Sequence, residues 1–201
     1  MPEAAIDLAA LRQGLRTKVA AKAEFSEAEW QDFSAPWRPV HCEKEQHLIR
    51  PGQVENWFYY IHHGVTRGYF LHRGQDKSVG FAYHGDFLSA IDSWISRAPT
   101  AFYLQCLSPV TGLRIHYDDL QALYDRHKFA ERWGRRLMEE ILWGLGMREI
   151  SVLAYSAEER YERLMNNAPH ILQFVPQKHL ASYLGMTAET FSRIRKKRSR
   201  S

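Results

Sequence analysis

Cysteine is nearly absent from this chain of 201 residues, with Cys42 and Cys106 its two examples. Two thiols cannot build a disulfide framework or supply the four ligands of an iron–sulfur cluster. A reducing cytoplasm fits that poverty best. No stretch approaches about 18 consecutive apolar residues, so no membrane span is expected. The opening MPEAAIDLAALRQGLRTKVAAK carries Glu3 and reads as an amphipathic helix over roughly residues 4–22, not as a signal peptide. Internal repeats and low-complexity tracts are missing too, so no repeat array is expected. Acid is missing from the end of the chain. Residues 193–201 hold Arg193, Arg195, Lys196, Lys197, Arg198 and Arg200 and no Asp or Glu. The whole chain is only +4, so residues 1–192 sum to −2 and the basicity is local. Such a patch suits a polyphosphate partner, by release of counterions. A frayed, solvated chain end is the plainer alternative.

What is present supports a folded core, since 45% of the residues are apolar. Ser26 with Glu29 three residues on forms a capping box and opens a second helix, which the Pro36–Pro39 segment ends. The texture then changes to short alternating or aromatic runs. Strands are expected at 39–43, 47–49, 57–63, 66–71, 78–83, 101–107 and 112–116. Turn signals separate them at Pro51-Gly52, His63-Gly64, Arg73-Gly74, Gly85-Asp86 and Ser108-Pro109. Short strands with a turn every eight to twelve residues mean a sandwich, roll or barrel. Their aromatics, among them Trp57, Phe58, Tyr59, Tyr60, Phe87 and Tyr103, are expected as core before they are expected as the lining of an apolar effector pocket.

Helical periodicity returns at Asp118 or Asp119, either of which can cap a short helix through Tyr124. A long helix follows over about 127–154. Phe129, Trp133, Leu137 and Ile141 form one stripe, facing the sheet. Met138, Ile141, Leu145 and Val152 approximate a second seam, interrupted by Arg148, and suggest a homodimer packed along the helix. The plainer alternative buries the helix against its own domain alone. Ser156 and Glu159 make another capping box, marking a fresh helix with a hinge before it. The domains are therefore drawn at 1–154 and 155–201.

The stretch Val175–Lys197 reads as two short helices around a tight turn. Pro176 suits a first helical turn, and Leu180, Ala181 and Leu184 share a face. Gly185 stops that helix in the left-handed conformation. Thr187 caps the next, and Glu189 sits in its first turn, where the dipole favours an acid. Phe191 and Ile194 can pack inward, leaving Glu189, Thr190, Ser192, Arg193 and Lys196 outside. This is the pattern of a DNA-binding helix-turn-helix, although a helical hairpin with a solvated face shares it. The candidate DNA contacts are Gln177, Lys178, Thr187, Ala188, Glu189, Thr190, Ser192, Arg193, Lys196 and Lys197. Glu189 and Arg193, four residues apart, share one face. Arginine can bond guanine O6 and N7, and glutamate can accept from a base amino group.

Nearly the whole chain resembles the Crp/Fnr family of bacterial transcription regulators. The resemblance rests on Ile49-Arg-Pro-Gly-Gln53, Tyr59-Tyr-Ile-His-His-Gly64, Gly85-Asp-Phe-Leu88 and Ser156-Ala-Glu-Glu-Arg-Tyr161. Its most specific part is Ala181-Ser-Tyr-Leu-Gly-Met-Thr-Ala-Glu-Thr-Phe-Ser-Arg193. The resemblance implies an α+β fold: a β-roll (cyclic-nucleotide-binding-like jelly roll) sensor domain, a long dimerisation helix and a C-terminal helix-turn-helix domain. It further implies a homodimer on a palindromic promoter site, with RNA polymerase as a possible partner, and no enzymatic activity. The effector pocket would involve Gly85, Asp86, Phe87, Leu88, Thr100, Ala101 and Tyr103. Glu189-Thr-Phe-Ser-Arg193 is similar to the Fnr branch, implying a half-site nearer TTGAT than TGTGA.

Departures from the family pattern matter equally. Cyclic-AMP binders place a glutamate and an arginine where this chain has Ala90 and Pro99. A buried cyclic phosphate without an opposing charge is costly, so conventional cyclic-AMP binding is not expected. No β-hairpin wing is evident after the recognition helix, and the tail from Arg195 to Arg200 is expected to take over its phosphate contacts. No cofactor or metal site is expected. The histidines His41, His47, His62, His63, His72 and His84 are scattered, and neighbours such as His62 and His63 point to opposite faces of a strand. A cupin-like metalloenzyme, or a helix-turn-helix used for protein contacts, are the alternative functions.

Overall fold

Local capping decides where the first helices begin. The computed structural model describes residues 7–198; Glu3, the expected helix start at residue 4 and Arg200 lie outside that range. Asp7 accepts the Ala10 N–H at 3.0 Å and opens α1 (Leu8–Ala20), whose Leu11, Leu15 and Val19 are buried. Ser26 and Glu29 form the reciprocal capping box that opens α2 (Glu27–Ser34). Arg16 joins the two, gripping the Glu27 carboxylate at 2.6 and 3.1 Å.

Among the described residues eight strands follow: β1 (Arg38–Cys42), β2 (His47–Ile49), β3 (Trp57–His63), β4 (Thr66–His72), β5 (Gln75–Ala82), β6 (Phe87–Leu88), β7 (Tyr103–Cys106) and β8 (Val110–His116). They form two four-stranded sheets, ordered β1-β8-β3-β6 and β2-β7-β4-β5. In the first, β3 runs antiparallel to β8 from Trp57 opposite His116 to Ile61 opposite Gly112. A Cβ on Gly112 would collide with the Tyr60 carbonyl oxygen, so that close approach requires glycine.

Strand β3 is buried on both faces, which is why Phe58, Tyr59, Tyr60 and Ile61 form an unbroken apolar run. Tyr59 and Ile61 point between the sheets, clustering with Cys42, Ala82, Cys106 and Val110. Phe58 and Tyr60 point the other way, toward Phe87 of β6. Over that face lies α5 (Lys128–Ala154), contributing Phe129, Trp133 and Leu137 as the first apolar stripe anticipates. Trp133 meets Phe33 at 5.4 Å and Phe87 at 5.2 Å, both edge-on, the geometry aromatic quadrupoles prefer. The β3 aromatics are thus core.

Three elements escape the sequence reading. Strand β6 has two residues, too few for any periodicity, and α3 (Ile91–Ser96) is a six-residue helix inside the expected effector cassette. A third is α7 (Ile171–Phe174), before the helix-turn-helix. Helix α4 (Tyr117–Arg126) begins earlier than expected and is capped by His116, whose Nδ1 accepts the Asp118 N–H at 3.4 Å, not by Asp118 or Asp119. Asp118 and Asp119 instead place their charge in the first turn. The chain then breaks after Ala154, and Ser156 and Glu159 cap α6 (Ala157–Asn167).

Contacts within the chain gather it into two compact units. One comprises the chain up to Gly68 with Phe81–Glu139. The other joins Tyr69–Gly80 to the chain from Glu140 onward. Helix α5 contributes to both, as do β4 and β5. Among the described residues no helix is long and apolar enough to cross a membrane.

Trp133 is fully buried, and its indole N–H has no hydrogen-bond partner. Trp133→Ala is therefore expected to lower stability by about 3–5 kcal/mol through cavity formation. Trp133→Phe keeps the ring contacts, removes the orphan donor and should lose about 1.5 kcal/mol or less. Urea denaturation of the two variants checks this, and equal losses would contradict it.

Candidate nucleic-acid interface and effector cassette

Helix α8 (Gln177–Tyr183) and helix α9 (Ala188–Arg198) are held together by their apolar faces. Leu180, Ala181 and Leu184 are buried on one side, Phe191 and Ile194 on the other. The Phe191 ring also meets Tyr161 of α6 edge-on at 5.3 Å. Pro176 takes the N-cap position of α8 itself. At the other end Gly185 adopts φ +66°, the Gly185 N–H bonds the Ser182 carbonyl at 3.1 Å and the Met186 N–H bonds that of Ala181 at 3.0 Å. This is a Schellman closure, which satisfies the last carbonyls of α8 and turns the chain sharply. Thr187 Oγ1 accepts the Thr190 N–H at 3.2 Å and starts α9. Arg160 ties the hinge to the turn, donating to the Tyr155 carbonyl at 2.6 Å and to that of Gly185 at 3.4 Å.

The outer face of α9 carries the expected reading residues. Ala188, Glu189, Ser192, Arg193 and Lys196 line one open depression. Thr187 is exposed and Thr190 half-buried; Gln177 and Lys178 are exposed at the start of α8. Hydrogen bonds from the backbone N–H of Glu189 and from the Thr187 hydroxyl hold the Glu189 carboxyl below its ordinary range. The carboxylate thus belongs to the helix start, where the dipole also favours it. The basic end is less open than its sequence suggests. Lys197 lies 3.2 Å from Glu158, and Arg198 lies 2.9 Å from Glu162, both acids on α6.

Along α5, Met138 and Ile141 of the anticipated dimer seam are half-buried, whereas Leu145 and Val152 are exposed. The most exposed apolar side chains are others: Leu142 at 71%, Trp143 at 72% and Leu153 at 80%. Phe129, Trp133 and Leu137 of the same helix are buried.

The effector cassette of the roll is heavily self-bonded. Gly85 turns with φ +87°, and the Asp86 carboxylate accepts the Tyr83 N–H at 3.0 Å, closing its own turn. Burial holds the Asp86 carboxyl above its ordinary range. Phe87 stands in the aromatic core, while Leu88 packs from the edge against the inner clusters. The Thr100 hydroxyl donates to the Asp92 carboxylate at 2.8 Å, and the Ala101 N–H reaches the same carboxylate at 3.0 Å. Tyr103 meets His47 edge-on at 5.5 Å. Ala90 is buried, its N–H 3.4 Å from Glu55. Arg97 is occupied as well: its guanidinium donates to the Glu55 carbonyl and the Asn56 side chain, each at 2.7 Å, and lies 3.8 Å from the Tyr117 ring centre.

Sequence reasoning missed Glu55, Asp92 and Ser93. The one available signal was Asp92 next to the apolar Ile91, an acid in the first turn of α3, a helix with no side-chain cap. Glu55 is 1% exposed and its N–H bonds Ser93 Oγ at 2.9 Å. Among the described residues no group of three or more His, Cys, Asp and Glu could hold a metal ion. His41 pairs with Glu43 at 2.9 Å, and the His62 and His84 rings lie 5.6 Å apart. Cys42 and Cys106 are buried and free.

No family model and no curated protein matches the sequence. Solved structures do match in shape. FixK2 from Bradyrhizobium japonicum aligns with a TM-score of 0.71 at 15% identity, over 80% of this chain and 83% of that one. CLP, a c-di-GMP responsive global regulator from Xanthomonas campestris, aligns with 0.66 at 17% identity, over 87% and 92%. A protein of Eubacterium rectale described as belonging to the Crp/Fnr family aligns with 0.64 at 12% identity, over 86% and 82%. The chain has the Crp/Fnr fold. The α+β arrangement of roll, long helix and terminal helical domain is therefore the one the sequence resemblance implies.

Burial raises the Glu55 carboxyl from its ordinary 4.5 to about 7, against the lowering effect of N–H bonds from Trp57, Ala90 and Asn56. The folded chain therefore binds this proton more tightly than the unfolded chain. The stability it contributes is complete below about pH 4.5 and is lost as pH rises through about 7. Glu55→Gln should flatten this part of the pH profile and raise stability at pH 8 by about 1–3 kcal/mol. Urea denaturation at pH 5 and pH 8 checks it; an unchanged difference between the two would contradict it.

Proposed function

We propose that this chain is a cytoplasmic, sequence-specific DNA-binding transcription regulator of Crp/Fnr type. It works as a homodimer on a palindromic promoter site and carries no enzymatic activity. The observation that carries the reading is the outer face of α9. A helix whose inner residues Phe191 and Ile194 are locked in place presents Glu189, Ser192, Arg193 and Lys196 together in the open. At about 1.5 Å per residue, α9 extends roughly 16 Å, a length suited to the major groove. Arg193 reads a guanine, Glu189 accepts from a neighbouring base amino group, and Gln177, Lys178 and Lys197 contact phosphates. Thr187, Ala188 and Thr190 complete the approach to the groove.

Any effector of the roll is other than conventionally bound cyclic AMP. Supporting this, Ala90 and Pro99 offer no charge, Arg97 is already engaged by Glu55 and Asn56, and Asp92 by Thr100. The pocket, if used, lies among Gly85–Leu88, Thr100, Ala101 and Tyr103. The hinge at Tyr155, between α5 and α6, separates sensor from reader and gives the domain limits 1–154 and 155–201. RNA polymerase is the further partner of such a regulator.

Selection of bound duplexes from a random pool is expected to return a palindrome with half-sites about one helical turn apart. Adding cyclic AMP should not change the pool. Arg193→Ala should lose about 1–3 kcal/mol of affinity and relax one base position. Lys197→Ala should weaken all sequences alike. Retention of full affinity and base preference by Arg193→Ala would refute this assignment.

The dimer is proposed to close over the exposed apolar stripe of α5, in which Leu142 and Leu145 stand with Trp143 and Leu153. Replacing Leu142 and Leu145 together by glutamate should give monomers at micromolar concentration by light scattering. An intact dimer in that variant, or a monomeric unaltered chain, would count against the seam.

A further inference from the structure

Strand β5 is an edge of its sheet. Edge strands present backbone N–H and C=O groups that no neighbouring strand takes up. At Asp76–Ser78 two side chains from distant parts of the chain take that place. The Ser182 hydroxyl accepts the Ser78 N–H at 3.0 Å and donates to the Asp76 carbonyl at 3.2 Å. Carbonyl i and N–H i+2 are the two groups that one residue of a parallel neighbour would engage. A single hydroxyl therefore stands in for a strand. Arg148 of α5 continues the contact, donating to the carbonyls of Ser78 and Tyr183, each at 3.3 Å. Its guanidinium lies 4.9 Å from the Tyr183 ring centre. This explains the charge that interrupts the apolar stripe of α5. Residues 69–80 accordingly belong to the same compact unit as the helix-turn-helix.

We propose that Ser182 and Arg148 form a latch, by which the β4–β5 hairpin and α5 position α8 and so aim the recognition helix; the positioning role rests on the DNA-binding reading above. Ser182 lies two residues before Leu184, where the Schellman turn between the two helices begins. A displacement of α8 at this point is passed through a rigid turn to α9. The latch leaves Ala188, Glu189, Ser192, Arg193 and Lys196 uncovered, so it aims the reading face and does not occlude it. Its bonds are few and those of Arg148 are long, which suits a contact that can open without unfolding the unit. Strands β4 and β5 and helix α5 each run on into the other compact unit, whereas the hairpin meets α8 through the Ser182 hydrogen bonds and not through the hinge at Tyr155.

The test compares the full chain with Ser182→Ala, Ser182→Thr and Arg148→Met. Amide hydrogen exchange over residues 75–80 should quicken on the order of tenfold in Ser182→Ala and Arg148→Met. It should stay near the unaltered rate in Ser182→Thr, which keeps the hydroxyl. Affinity for the selected duplex should fall severalfold in the two latch-breaking variants and recover in Ser182→Thr. The melting temperature should change little, which separates positioning from loss of structure. Unchanged exchange would overturn the latch. Faster exchange with unchanged duplex affinity would overturn its positioning role. If the unaltered chain binds no duplex at low salt, the DNA reading and the positioning role fall together, whereas faster exchange would still uphold the latch.

Discussion

The burial of Trp133 against Phe33, Phe58 and Phe87 is the contact on which the rest of the first compact unit hangs. It covers the outer face of β3, and so lets that strand be apolar on both sides. It also fixes the rotation of α5 about its axis. Once Phe129, Trp133 and Leu137 face the sheet, Leu142 and Leu153 lie on the opposite side of the same helix. The exposed stripe of Leu142, Trp143, Leu145 and Leu153 is the geometric remainder of that choice. One ring set thus decides both the core and the surface of the helix.

Polar satisfaction governs the cassette in the same way. Asp92 holds Thr100 and Ala101, Asp86 holds Tyr83, and Arg97 holds the Glu55 and Asn56 segment. Each group takes donors or acceptors that a bound ligand would otherwise compete for. A ligand entering here must replace these bonds as well as fill space, and an unreplaced buried donor or acceptor is costly. The buried Glu55 sits at the centre of this arrangement with a raised proton affinity.

Most of the architecture is legible in the sequence, because its signals are local and chemical. Ser26 with Glu29 and Ser156 with Glu159 announce helix starts through hydrogen bonds spanning three residues. Gly185 announces the turn through a conformation that other residues resist. The strands are bracketed by turn residues: 47–49 precedes the turn signal at Pro51-Gly52, and 57–63 runs from there to the one at His63-Gly64, as expected. What is not legible is non-local. Strand β6 exists because Tyr59 and Tyr60 offer it partners, and two residues carry no period. The phase of α5 depends on aromatics that come from α2 and β3. Ser182 reads as an ordinary polar helical position until the edge of β5 is seen beside it. His116, not a neighbouring aspartate, caps α4 because the strand before it delivers the imidazole to the Asp118 N–H.

The pairing of Lys197 with Glu158 and of Arg198 with Glu162 changes how the basic end should be counted. A cation already facing a carboxylate does not arrive at a phosphate empty-handed. It must trade one anion for another, and the abandoned carboxylate then gathers small cations from solution. That uptake offsets part of the ion release from the polyanion. The chain end is in this sense a buffered electrode: its nominal charge overstates the field it projects, and α6 acts as the reservoir that absorbs the difference.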